Sequence, residues 1–216
     1  MRYDAVIYDL DGTLLNTLDD LATSVNHALA AHELPTHSTE AVCAMVGNGM
    51  EKLIRRALPA DATEELYTQV MASFRAHYAV HSDDQTCAYP GIEELLEELD
   101  KAGVKQAILS NKGDVYVKEL AKKYFERWIS VAYGERAGIP RKPHPESTLG
   151  IVHQWGLEPS RVLYVGDSDV DILTAKNAGL DCASVCWGFR TEEQLRAAGA
   201  EHLFHTPAEL AAFVKG

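Results

Sequence analysis

The 216-residue chain carries 32 Asp plus Glu against 20 Lys plus Arg, a formal charge of −12 that disfavours nucleic-acid phosphates and anionic membrane surfaces as partners. Apolar residues make up 46% and charged residues 24%, which suits one large core or a core with an insertion, and no dense basic stripe with interleaved aromatics occurs. No apolar run approaches the roughly 18 residues that span a bilayer, and the short, acid-bearing N-terminus MRYDAVIYDLDGT is not a signal peptide, so the expected location is cytoplasmic.

Residues 3–9 are an apolar, β-branched run closed by Asp11-Gly12, which predicts a buried strand and a loop. Residues 17–81 change character. Helical spacing dominates in LDDLATSVNHALAAHEL and TEELYTQVMASFRAHYAV, punctuated by Pro35, Pro59 and the turn Gly47-Asn48-Gly49, with no convincing strand. After Tyr89-Pro90-Gly91, helix and strand alternate. GIEELLEELDKAG is a helix ending at Gly103, VKQAILS a strand, GDVYVKELAKKYF a helix and WISVAYG a strand. PESTLGIVHQWG opens a helix with Pro145. RVLYVGD is a strand, SDVDILTAKNAG a helix, DCASVCW a strand, and TEEQLRAAG, HLF and PAELAAFVK complete the alternation.

Alternating strands and helices imply an α/β fold, a doubly wound, Rossmann-like parallel sheet covered on both faces. The helical block interrupts it after the first strand. The expected organisation is therefore a core of residues 1–15 and 87–216 and an inserted all-helical cap domain of residues 16–86. The four cysteines, Cys43, Cys87, Cys182 and Cys186, are too few and too widely spaced for a disulfide framework. Cys182 and Cys186 are expected on one side of the same strand as small core residues rather than as metal ligands.

In open parallel sheets ligands bind beyond the carboxyl ends of the strands. Asp9-Leu10-Asp11-Gly12-Thr13 follows the first strand and Ser110-Asn111 the second. Lys142 lies in the loop Arg141-Lys142-Pro143-His144-Pro145, and Gly166-Asp167-Ser168-Asp169-Val170-Asp171 ends a later strand. Asp9, Asp11, Asp167 and Asp171 would converge there. Like charges a few ångströms apart cannot all stay ionised without a cation, and oxygen-only ligands favour Mg²⁺. Lys142 adds positive charge, while Ser110, Asn111 and backbone amides near Gly12 offer donors suited to phosphate oxygens. Each fragment alone has a plainer reading: Asp-Gly is a common turn, Ser168 or Asp167 a helix cap, Lys142 a surface lysine. The ordered set of four, each at a strand end or in an adjoining loop, favours a site.

The set resembles the haloacid dehalogenase-like hydrolase superfamily. Asp9-Leu10-Asp11-Gly12-Thr13 matches its first motif, Ser110-Asn111 its second, Lys142 its third and Gly166-Asp167-Ser168-x-x-Asp171 its fourth. Gly47-Asn48-Gly49, Tyr89-Pro90-Gly91 and Trp187-Gly188-Phe189-Arg190 are similar to pieces of the phosphoglycolate phosphatase subgroup, whose helical cap follows the first motif. The resemblance implies a phosphomonoester hydrolase working through an aspartyl-phosphate on a small phosphorylated metabolite, with 2-phosphoglycolate the best guess. It implies Asp9 as nucleophile and metal ligand. Asp11 would be acid and base, lending its carbonyl to the metal. Asp167 would be a metal ligand and Asp171 a support of the metal shell. Gly12, Thr13, Ser110, Asn111 and Lys142 would hold the phosphate. Dehalogenases of the superfamily lack the second aspartate of the first motif, so Asp11 argues against that chemistry. Asn16 departs from many relatives, which carry Asp in that stretch. The alternatives are a mutase similar to β-phosphoglucomutase, a pyrophosphatase, or a non-catalytic binding protein on the same fold.

Other residues rank lower. His77 and His81 have i, i+4 spacing but no evident third ligand, so packed or exposed histidines are expected. The sequence does not assign roles to Gly47, Asn48, Arg55 or His144. Nor does it fix the physiological substrate, the pathway or the oligomeric state.

Overall fold

The computed structural model describes residues 1–216. The chain divides into two compact units, Met1–Leu15 with Ala88–Gly216, and Asn16–Cys87. The first unit opens with β1 (Ala5–Tyr8), and β2 (Leu15–Asn16) leads into the second, built from α1 (Leu18–Ala30), α2 (Thr39–Met45), α3 (Gly49–Ala57) and α4 (Glu64–His81). β3 (Cys87–Ala88) returns and pairs with β2. The first unit then continues through α5 (Ile92–Lys101), β4 (Lys105–Gly113), α6 (Asp114–Phe125), β5 (Val131–Glu135) and α7 (Glu146–Trp155). It ends with β6 (Val162–Gly166), α8 (Asp169–Ala178), β7 (Asp181–Val185), α9 (Glu192–Ala197), β8 (His202–Phe204) and α10 (Pro207–Lys215).

The six main strands form one parallel sheet in the order β5-β4-β1-β6-β7-β8. The doubly wound α/β class expected from the sequence is the observed one. β1 is fully buried because strands flank it and helices cover both faces. Its side chains alternate. Val6 and Tyr8 join a core with Leu95, Leu96 and Leu99 of α5, Leu120 of α6 and Leu210 of α10. Ala5 and Ile7 join the opposite core, with Ile151 and Val152 of α7 and Ala175 of α8.

β4 differs from the expected strand. It runs past Ser110 to Gly113, because pairing with β5 continues beyond a register shift between Leu109 and Gly113. β7 is shorter than expected and ends at Val185, which leaves Cys186 outside the strand.

The second unit contains no strand between its two ends. Ser38 caps α2 by accepting from Ala41 N, and Thr63 caps α4 by accepting from Leu66 N. α1 packs mainly on α4, burying Leu21, Val25 and Leu29 with Val70, Phe74 and Tyr78. The buried Asp20 carboxylate accepts from Gln85 N, Thr86 N and Thr86 Oγ1, at 3.0, 2.8 and 2.7 Å, and ties the end of this unit to its beginning. Gly47, Asn48 and Gly49 all take positive φ, which suits two glycines and an asparagine. No helix is long and apolar enough to cross a membrane.

Candidate active site

β1 has β4 on one side and β6 on the other, so the winding reverses beside it and leaves a crevice at its carboxyl end. Asp9 follows β1 there, its N–H donating to Val165 O at 2.8 Å. The chain then turns tightly, with the amides of Thr13, Leu14 and Leu15 donating to Leu10 O. Gly12 has φ +82°, and a Cβ on it would lie 2.4 Å from Asp167 Oδ2. Glycine is needed there on both counts.

Asp167 follows β6 and is 2% exposed. Its Oδ1 accepts from Thr13 Oγ1 at 3.2 Å and its Oδ2 from Phe189 N at 2.7 Å. The segment after β7 supplies that amide. Trp187 Nε1 donates to Thr13 O at 3.0 Å, and a Cβ on Gly188 would stand 2.3 Å from Gly12 O and 2.4 Å from Asp167 Cβ. Trp187-Gly188-Phe189, read in the sequence as marking a subgroup, thus braces the first and fourth motifs.

Lys142 Nζ lies 3.0 Å from Asp9 Oδ1 and 2.8 Å from Asp171 Oδ1. Exposure separates the members of this cluster. Lys142 and Asp171 side chains are 3% and 0% exposed, while Asp9 keeps 13% and Asp11 15%. The two motif-one carboxylates are therefore the more accessible members of the cluster. Both Asp171 oxygens are engaged, Oδ1 by Lys142 and Oδ2 by the N–H and hydroxyl of Ser168 at 3.1 and 2.6 Å. The helix-cap reading of this motif holds: Ser168 caps α8, and Asp171 reaches back to it.

Asn111 is brought to the site, but its amide holds Lys142. Nδ2 donates to Lys142 O at 3.0 Å and Oδ1 accepts from Lys142 N at 2.9 Å. The Gly12 and Thr13 amides donate within their loop, to Leu15 O and Leu10 O. Ser110 is 4% exposed, its Oγ accepting from Lys112 N at 3.3 Å. Lys112 is a residue that the sequence reading missed. It is buried, and its Nζ lies 2.7 Å from Asp11 Oδ1. Its place directly after Ser110-Asn111 was the available signal, and the continuation of β4 past those residues hid it.

Burial pushes the Asp9 carboxyl up to about 7; Lys142 opposes this, while Asp171 and Asp11 add to it. Burial, then the charges of Asp171 and Asp9, push Asp167 up to about 8, against the Phe189 and Thr13 hydrogen bonds. Burial also works against the Lys142 charge, but Asp171 and Asp9 outweigh it and hold the ammonium well above the usual lysine value. The carboxylates thus exceed the positive charge around them. Oxygens of Asp9, Asp167 and Asp171 lie within 4.8 Å of one another, with no sulfur or nitrogen ligand in the group. An all-oxygen, charge-deficient set of this kind fits a hard divalent cation such as Mg²⁺.

The lower-ranked residues are occupied elsewhere. His77 stacks between His27 and His81, at centroid distances of 4.1 and 4.3 Å, with Nδ1 2.9 Å from Ser24 Oγ. Arg55 pairs with Glu64 at 2.7 Å and lies over the Tyr67 ring. His144 Nδ1 accepts from Glu146 N at 3.3 Å.

A family model described as haloacid dehalogenase-like hydrolase matches residues 6–185. A phosphoglycolate phosphatase of Mannheimia succiniciproducens is 33% identical over 217 residues, covering 97% of each chain. One from Pseudomonas putida is 37% identical over 193 residues, covering 85% of this chain and 70% of its own. A crystal structure from Lactobacillus delbrueckii subsp. bulgaricus, of a provisionally assigned phosphoglycolate phosphatase, superposes with a TM-score of 0.94 at 31% identity and 99% coverage of both chains.

Proposed function

The chain belongs to the haloacid dehalogenase-like hydrolase family and is a phosphatase; from that premise we propose that it is a Mg²⁺-dependent phosphomonoester hydrolase working through an aspartyl-phosphate on Asp9. The carrying observation is Asp9 itself. It directly follows the central strand at the point where the winding reverses, is partly open to solvent, and has Lys142 Nζ 3.0 Å from its Oδ1. Asp9 and Asp167 side chains and the Asp11 carbonyl would hold Mg²⁺, with Asp171 outside them because it is fully buried and its Oδ1 pairs with the Lys142 ammonium. When bound, the ion would offset the carboxylates and draw charge from the phosphoryl oxygens.

The chain's own residues account for the steps. Lys142 and Ser110 bind the phosphate oxygens. Asn111 acts as a positioning residue by fixing the Lys142 main chain. An Asp9 oxygen forms a bond to phosphorus as the bond to the leaving oxygen breaks, and Asp11 gives that oxygen its proton. Water then attacks phosphorus, Asp11 takes up its proton, and the Asp9–phosphorus bond breaks. Lys112 orients Asp11 throughout. Acid–base help supplies only about 10²–10⁴-fold, so positioning and charge stabilisation must supply most of the acceleration.

The proposed substrate is 2-phosphoglycolate, supported by relatives of that activity at 33–37% identity. The test compares kcat/KM for phosphoglycolate, pyrophosphate, glucose 1-phosphate and nucleoside monophosphates at equal Mg²⁺. Phosphoglycolate should lead. A clear preference for another compound rejects the substrate, and formation of a phosphosugar isomer instead of free phosphate rejects hydrolysis.

A further inference from the structure

The structure brings a second set of metal-ligating side chains together, away from the carboxylate cluster. Cys186 Sγ, a Glu192 oxygen and a His205 ring nitrogen all lie within 4.8 Å of one another. Cys186 sits one residue past β7, His205 one residue past β8, and Glu192 opens α9. Parallel pairing of Val185 with Phe204, and donation from Cys186 N to Phe204 O at 2.9 Å, set the thiol and the imidazole side by side at the sheet's carboxyl edge. Arg196 holds Glu192 Oε1 from Nε and Nη2, at 2.8 and 2.7 Å. Glu192 Oε2 then lies 3.4 Å from His205 Nε2. A carboxylate oriented by an outer partner is the usual support of a metal ligand. Cys186 and Glu192 are half-buried and His205 is exposed, so an ion has a path in.

We propose that Cys186, Glu192 and His205 form a binding site for a borderline-soft divalent cation such as Zn²⁺, with water as the fourth ligand. Sulfur, nitrogen and oxygen donors in this mixture suit Zn²⁺ and its neighbours, whereas Mg²⁺ takes oxygen alone. The two sites therefore sort ions by chemistry. Binding forms a sulfur–metal bond with the sulfur's own electron pair, releases the thiol proton to solvent and changes no oxidation state. Because binding releases the thiol proton, apparent affinity should rise with pH. The bland alternative is a His–Glu surface pair beside an unreactive thiol, which takes up no metal. Cys186 and Glu192 also bracket the segment that donates Trp187 Nε1 to Thr13 O and Phe189 N to Asp167, so an ion there ties down both ends of a segment that braces the first and fourth motifs.

The test uses full-length, tag-free, metal-stripped protein in excess Mg²⁺, titrated with Co²⁺. The expected result is one equivalent bound, with a thiolate-to-cobalt charge-transfer band that Zn²⁺ displaces. Cys186→Ser should abolish the band with the circular dichroism unchanged, Cys182→Ser should keep it, and His205→Ala should weaken apparent affinity at least about 10-fold. Absence of the band in the unaltered protein, or a band that survives Cys186→Ser or ignores His205→Ala, overturns the site. Should Cys186→Ser fail to fold, alkylation of the unaltered protein decides: Zn²⁺ should protect Cys186, and equal labelling with and without Zn²⁺ overturns the proposal.

Discussion

Replacing Lys142 with methionine removes the ammonium and keeps most of the stem volume. The lysine lies 3.0 Å from one carboxylate oxygen and 2.8 Å from another. At an effective dielectric of about 20, each contact is a gross attraction of roughly 5–6 kcal/mol. Desolvation offsets most of that, and removing one member of a buried charge group costs about 3–5 kcal/mol of stability because the partners are left uncompensated. Asp9 is partly exposed, so the lower end of that range is expected, and Mg²⁺ should restore part of it. The catalytic effect should resemble loss of one preorganised donor, about 10²–10³-fold in kcat/KM, or roughly 2.7–4 kcal/mol. The assay is steady-state phosphate release by Lys142→Met at saturating Mg²⁺, paired with urea unfolding to confirm that the variant is folded. A folded Lys142→Met with less than about a threefold loss, roughly 0.65 kcal/mol, would refute the reasoning, since it falls far short of the loss of a preorganised donor.

Asp9→Asn should abolish turnover and leave the fold intact, because an amide is a poor nucleophile; substantial activity in the purified variant, freed of host phosphatases, would exclude nucleophilic attack by Asp9. EDTA should stop activity and Mg²⁺ restore it, with Ca²⁺ a poor substitute because it takes more ligands at longer distances; full activity in metal-free buffer would contradict the cation assignment. The His77 imidazole is held below its usual value of 6.5 by burial and by the neighbouring His27 and His81. The unfolded chain therefore takes the proton first, so the stability of the Asn16–Cys87 unit should fall as pH drops through about 6.5 and level off below the folded value. Hydrogen exchange of α1 and α4 amides, corrected for intrinsic rates, reads this out, and His77→Gln should flatten it; an unchanged pH response in that variant would exclude His77 as the source.

The parts of the site legible in the sequence were those at the ends of single elements. Asp9 and Asp167 follow short apolar, β-branched runs that, bounded by turn signals and alternating with helices, read as buried parallel strands, and open sheets place ligands beyond such ends. What depends on contacts between distant segments was not legible. β4 was expected to stop at Ser110, yet its pairing with β5 carries it to Gly113, so Lys112 becomes a buried partner of Asp11. Nor does the sequence reveal that the Asn111 amide holds the Lys142 main chain at both its nitrogen and its oxygen. Cys186 was expected in the core beside Cys182; because β7 ends at Val185, it lies outside the strand, and the β7–β8 register sets it beside His205. His27 completes the histidine stack through the packing of α1 on α4, which the i, i+4 spacing of His77 and His81 alone does not reveal.

The most direct test of the mechanism follows the phosphoryl group itself. An activated aryl phosphate needs no proton on its leaving oxygen, so Asp11→Asn should still be phosphorylated by it and then stall for want of a base. Mixing ³²P-labelled aryl phosphate with Asp11→Asn and Mg²⁺, quenching in acid and mapping the peptides should give close to one label per chain, on the peptide containing Asp9, with a matching burst of phenolate. Steady turnover of the aryl phosphate with no covalent label, or label on a peptide without Asp9, would contradict the account.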